Sequence, residues 1–155
     1  MSAALSAFEH VAFDSAPLIY FIEKNLTYLP LMKAIFRRLD QGDFLGHTSA
    51  LTLTELLSMP KKHGLREVEN EYYDLLLFSR NFRTHAITVD TALQTADLRA
   101  RYNLRTPDAI HVASALTAGC EALLTNDRQL KRIEEITVLV LDDLIAQPGT
   151  EPTNA

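Results

Sequence analysis

The chain carries a single cysteine, Cys120, so it cannot form an intramolecular disulfide, and a disulfide-stapled secreted scaffold is excluded. No apolar run approaches the ~18 residues of a membrane span. The first ten residues, MSAALSAFEH, have no basic residue ahead of their small apolar patch and make a poor signal peptide. These absences together fit a cytoplasmic protein with no membrane partner. There is no Walker loop, no G-x-G-x-x-G and no G-x-S-x-G, which lowers nucleotide-cofactor and serine-hydrolase readings. His10, His47, His63, His85 and His111 are scattered, and none forms H-E-x-x-H or a Cys/His zinc pattern. An excess of positive charge is also missing. The net charge of −5 argues against a sequence-tolerant DNA binder held mainly by phosphate contacts. It does not argue against a nuclease, because a site that binds divalent metal is itself acidic.

What is present is an ordinary globular composition, 47% hydrophobic, in 155 residues. That length suits one domain, read here as residues 1–145, with 146–155 a disordered tail. Short apolar or β-branched runs alternate with helical patterns. Strands are expected at Val11–Phe13, His47–Leu51, Ala86–Val89, Glu121–Leu124 and Thr137–Leu141. Helices are expected from Ser15 to about Lys24, over Tyr28–Asp40, over Leu53–Ser58 with a stop at Pro60, and over Leu65–Ser79. Three more follow at Thr91–Tyr102, at Thr106 to Gly119, and at Arg128–Ile133. This alternation predicts an α/β sandwich with a mainly parallel sheet.

Ligands of such sheets bind at the carboxyl ends of the strands. Acids stand at those seams: Asp14 ends the first strand, Glu55 lies in the helix after the second, Asp108 opens the helix of TPDAIHVASAL, and Asp127 follows the fourth strand in LLTND. Each has a plain alternative. Asp14 and Asp127 could be helix N-caps, worth about 1 kcal/mol each. Glu55 could close a capping box with Thr52, and Asp108 could complement a helix dipole. Capping, however, needs one polar residue per helix, and Ser15 and Thr106 are already available. Two carboxylates ~5 Å apart repel by ~3 kcal/mol at an effective dielectric of 20, and a bound Mg²⁺ or Mn²⁺ would offset that. Asp90 reads as an N-cap, Asp142 and Asp143 as surface charges, and Cys120 as a core residue.

In order along the chain, FDSAPLIYFIE, TSALTLTELL, TPDAIHVASAL and LLTNDRQL resemble the PIN domain, and within it the VapC-type toxin ribonucleases of toxin–antitoxin pairs. The resemblance runs from about Val11 to Leu141, and its most specific part is DAIHVASAL followed by TND. It implies a three-layer α/β/α fold and a metal-dependent endoribonuclease using Mg²⁺ or Mn²⁺. The family's four acids fall on Asp14, Glu55, Asp108 and Asp127, as metal ligands and catalytic residues. Its hydroxyl residue falls on Thr125, with Ser15 and Asn126 as supporting residues. The resemblance further implies an RNA substrate, homodimers and a small antitoxin that blocks the site. A PIN-fold nuclease outside a toxin–antitoxin pair, acting in RNA processing or on DNA, stays open, as does a catalytically silent interaction module. His111, one turn after Asp108, is expected to be structural or hydrogen-bonding. Lys61, Lys62, Arg66, Arg80, Arg83, Arg101 and Arg128 could guide a phosphate backbone but read better singly as solvated charges.

Overall fold

The computed structural model describes residues 2–146. Five short strands form one sheet: β1 (His10–Phe13), β2 (Leu45–Ser49), β3 (Phe82–His85), β4 (Ala122–Thr125) and β5 (Thr137–Val140). Their order is β3-β2-β1-β4-β5 and every pairing is parallel. The helices are α1 (Ser2–Leu5), α2 (Ser15–Ile22), α3 (Leu29–Asp40), α4 (Ala50–Lys62), α5 (Arg66–Phe78), α6 (Val89–Tyr102), α7 (Thr106–Thr117) and α8 (Leu141–Ala146), with a 3-10 turn at Arg128–Arg132.

Successive side chains of a strand point to opposite faces, and here both faces are covered, as parallel sheets require. Val11, Phe13 and Leu124 pack with Leu18, Met32, Ile35, Leu56, Tyr72 and Leu76, from α2, α3, α4 and α5. Ala12 and Leu123 pack on the other face with Leu98, Ala109, Val112, Ala113 and Leu130, from α6, α7 and the 3-10 turn. The result is a three-layer α/β/α sandwich. Among the described residues no helix is long and apolar enough to cross a membrane.

Several element bounds differ from the sequence expectation for identifiable reasons. β2 starts two residues early, at Leu45, because Gly46 is pressed against β3. A Cβ there would stand 2.6 Å from the Phe82 ring and 3.1 Å from Leu39. Pro60 does not stop the second-crossover helix; α4 runs through it to Lys62. Pro60 lies within the last turn and is buried, so one missing N–H near the helix end is tolerated. β3 is Phe82–His85, not Ala86–Val89. The β-branched pair misled the assignment: Ile87 is 42% and Val89 77% exposed, and Val89 begins α6. The real strand is polar because it forms the edge of the sheet. Thr88, not Asp90, caps α6, in a capping box with Thr91. The tail from residue 147 lies outside the described residues.

Three histidines come together on the α6–α7 side of the sheet. His10 Nδ1 lies 3.0 Å from His47 Nε2, and His47 Nδ1 lies 2.8 Å from His85 Nε2. His47 is buried, at 4% exposure, and its pKa is pushed down to about 4 by burial, then by the nearby charges of His85, His10 and Arg83. His85 is shifted down by burial and Arg83.

Candidate active site

The strand order reverses at β1, with β2 on one side and β4 on the other, which makes the β1/β4 carboxyl ends the topological switch point. Asp14 follows β1 there, and its backbone N–H donates to Leu124 of β4 at 2.9 Å. Its carboxylate is held on both oxygens. Oδ1 accepts from the Ser15 backbone N–H at 2.9 Å, so Asp14 caps α2, and Oδ2 accepts from the Thr125 hydroxyl at 2.7 Å. Thr125 is fully buried and also accepts from the Asp127 backbone N–H at 3.1 Å. One hydroxyl therefore fixes the ends of two neighbouring strands. Asp127 in turn caps the 3-10 turn through the Gln129 N–H at 3.0 Å.

Glu55 reaches the same corner from the second turn of α4. The Ser15 hydroxyl donates to Glu55 Oε1 at 2.9 Å, and His111 Nε2 lies 2.5 Å from that oxygen. His111 Nε2 is also 3.8 Å from Asp14 Oδ1. The capping box with Thr52, the alternative reading of Glu55, does not form. Ser49 is the N-cap of α4, and Thr52 lies inside the helix, fully buried against Thr48 with their hydroxyls 2.8 Å apart. Thr52 cannot cap because it is already a turn into the helix, so Glu55 projects to the sheet edge instead. Ser15 likewise is not a cap; its hydroxyl serves Glu55.

Asp108 lies in the first turn of α7, where Arg105 occupies the cap position without a side-chain cap bond, so Thr106 does not cap either. Arg105 Nε donates to Asp108 Oδ2 at 3.0 Å. Asp108 and Asp127 share the wall of a cleft of about 250 Å³ with Asn103, Leu104, Arg105, Gln129, Leu130 and Arg132.

The charges of this corner act on one another. Burial opposes protonation of His111, but its hydrogen bond with Glu55 and the charges of Asp14, Glu55 and Asp108 outweigh it, and its pKa is raised. The hydrogen bond from His111 holds the Glu55 carboxyl below its ordinary range, against burial and with help from Ser15 and Arg105. Arg105 is held charged by Asp108 first, and by Asp127 and Glu55. Arg105, and a His111 whose protonated form is favoured, thus face carboxylates brought from four parts of the chain.

The four acids offer hard oxygens, which suit a hard divalent cation. Glu55 Oε2 and Asp127 Oδ2 have no protein partner among the described residues, so oxygens remain for a ligand. Among the described residues no group of three or more His, Cys, Asp or Glu side chains is placed to hold a metal ion; Glu55 bonds His111 and Asp108 pairs with Arg105.

Asn126 points away from the acids. Its Nδ2 donates to the Tyr28 hydroxyl at 3.0 Å, and its Oδ1 accepts from the Asp142 N–H at 3.2 Å. Asp142 is more than a surface charge, because the Tyr28 hydroxyl donates to it at 2.6 Å. Asp143 pairs with Arg128 and Lys131. His111 makes a hydrogen bond, as expected of it, to Glu55, while Arg105 and Arg132 are not among the basic residues that the sequence singles out. The signal for Arg105 was its place just before Thr106-Pro107-Asp108, three residues from an acid at a helix start.

The family model described as the PIN domain matches residues 12–136. Among curated protein sequences none matches the chain. Solved structures with the same fold include VapBC2 from Rickettsia felis bound to a DNA fragment from their promoter. That chain is 16% identical with a TM-score of 0.68, and the match covers 84% of this chain and 98% of that one. A toxin–antitoxin complex from Klebsiella pneumoniae matches at 22% identity and TM-score 0.64, covering 84% and 97%. DNA-bound VapBC from Salmonella typhimurium matches at 18% identity and TM-score 0.64, covering 85% and 98%.

Proposed function

Because the chain belongs to the PIN domain family, we propose that it is a metal-dependent endoribonuclease and the toxin of a toxin–antitoxin pair. What supports the reading is a chain of contacts: Thr125 joins the Asp14 carboxylate to the Asp127 backbone, His111 bonds Glu55 and lies 3.8 Å from Asp14, and Asp108 shares a cleft wall with Asp127. Asp14 and Asp127 also cap α2 and the 3-10 turn, but Glu55 and Asp108 make no cap bond, so capping does not account for their place at this edge. The likeness of fold to chains from toxin–antitoxin complexes supports a small antitoxin as partner. A homodimer and a cytoplasmic location belong to the same proposal.

In this reading Asp14, Glu55, Asp108 and Asp127 hold Mg²⁺ or Mn²⁺. The ion, when bound, lowers the pKa of a water and stabilises charge on the scissile phosphate and leaving oxygen. The chain's own groups do the rest. Thr125 fixes the rotamer of Asp14 and the backbone of Asp127 together, so the two acids keep one spacing. Ser15 and His111 aim Glu55 inward. His111 bonds Glu55 and lies 3.8 Å from Asp14, and the charges of both acids favour its protonated form.

The test is RNA cleavage by the wild type and by Asp14→Asn and Asp108→Asn, with Mg²⁺ and with EDTA. Activity is expected to vanish in both variants and under EDTA. Cleavage that survives all three would rule out the metal mechanism. Growth arrest on expression, relieved by a neighbouring antitoxin gene, separates a toxin from a PIN nuclease with another role.

A further inference from the structure

We propose that Arg105 and Arg132 form the phosphate-binding wall of the cleft beside Asp108 and Asp127, and that a backbone phosphate of single-stranded RNA next to the scissile one docks there. This rests on the ribonuclease reading above and names how that site holds its substrate.

The basic residues near this end of the sheet divide into two groups. Arg128 and Lys131 are both spent on Asp143, and Arg101 on Glu135. Arg99 donates to the Leu104 carbonyl. Arg132, from the same 3-10 turn as Arg128 and Lys131, makes no ion pair among the described residues and lines the cleft. Arg105 has one partner, Asp108, and its side chain is 80% exposed, so nothing else holds it in place. In a chain of net charge −5, two guanidinium groups thus line a cleft that also contains two of the acids.

The chemistry favours a phosphate. A polyanionic backbone approaching four carboxylates needs positive charge on the approach side. Guanidinium groups present paired N–H donors that match phosphate oxygens. The cleft, about 250 Å³ and open, is below the roughly 300–1,000 Å³ of small-molecule pockets. It suits a length of backbone passing through rather than an enclosed ligand. Gln129 and Asn103 add neutral donors along the same wall. On phosphate binding Arg105 exchanges a carboxylate partner for a phosphate one, which leaves Asp108 available to a cation.

The experiment measures binding of a single-stranded RNA oligomer to Asp14→Asn protein across a salt series in Mg²⁺, by fluorescence anisotropy. It is repeated with Arg105→Ala, Arg132→Ala and both added. Losing this one phosphate contact should flatten the slope of log K against log salt by about 0.7 in the double variant, and by less in each single variant. Arg105→Lys should keep most of the slope, and Arg80→Ala, an exposed arginine elsewhere, should keep all of it. With the acids intact, the alanine variants should raise KM more than they lower kcat. An unchanged slope, or a loss of kcat with KM unchanged, would show that Arg105 only braces Asp108 and would overturn the inference while leaving the ribonuclease reading in place. RNA binding with the predicted slopes but no cleavage by the wild type would overturn the ribonuclease reading alone. Absence of RNA binding by the Asp14→Asn protein would overturn the inference.

Discussion

Acid should unfold this protein sooner than its carboxylates alone would dictate, and His47 is the reason. It sits at 4% exposure between His10 and His85, and its pKa is pushed down to about 4. In the unfolded chain an imidazole titrates near 6.5. Above that pH both states are neutral and the folded state is fully favoured. As pH falls from about 6.5 to about 4, the unfolded chain takes a proton that the folded one refuses, and stability declines. The full difference of about 2.5 units is worth about 3 kcal/mol, of which about 2 kcal/mol is lost by about pH 5. That is a large part of a typical stability of about 5–15 kcal/mol. The assay is urea unfolding near pH 7.5 and about pH 5 for the wild type and His47→Gln, which keeps a donor and an acceptor but cannot titrate. The wild type should lose about 2 kcal/mol more than the variant over that interval. His85, shifted in the same direction, acts in both proteins and cancels. An NMR titration of the wild-type imidazoles gives a second check, with one ring staying neutral to about pH 4. Parallel pH dependence of the two proteins, or a buried ring titrating near 6.5, would refute the argument.

Other outcomes follow from single contacts. Thr125→Val removes the hydroxyl that binds both Asp14 and Asp127, and should cost about 1.5–3 kcal/mol by thermal or urea unfolding, with RNA cleavage falling as well. Gly46→Ala forces a methyl against Phe82 and should destabilise by about 1–3 kcal/mol, measured by urea unfolding, while the lighter Phe82→Leu background should recover part of the loss. His111→Ala should leave the fold intact by circular dichroism. It should weaken RNA cleavage by freeing Glu55 and return the Glu55 carboxyl toward its ordinary pKa, followed by carbon NMR titration.

The alternation of strands and helices was readable from sequence because buried parallel strands and amphipathic helices leave different apolar periods. It failed where burial and propensity part company. At β3 the edge strand FRTH is polar and the adjacent AITV is β-branched yet exposed, so propensity pointed four residues too far along. At Pro60 the local rule for proline lost to tertiary packing that buries it at the end of α4. Asp14, Asp108 and Asp127 were legible as seams because each lies at a strand end or helix start, and Glu55 because its helix follows a strand. Their partners were not. Thr125 bonding to Asp14, Ser15 to Glu55 and His111 to Glu55 span 111, 40 and 56 positions, and no local period records such distances. The same holds for the split between paired and unpaired arginines, which depends on where Asp143 and Glu135 fall in space.

The order of β1 and β4 has a consequence for the chain while it is being made. Asp14 and Glu55 leave the ribosome early, but the strand that lies beside β1 and carries the Thr125 clasp is near the end of the described chain. Domains are synthesised from the N-terminus, and a sheet missing a central strand has no switch point to line with acids. A growing chain up to residue 105 therefore contains half the carboxylates and none of the geometry. For a protein read as destroying RNA, this arrangement keeps the nascent chain harmless to the message that encodes it until the segment carrying Asp108, Thr125 and Asp127 has been translated.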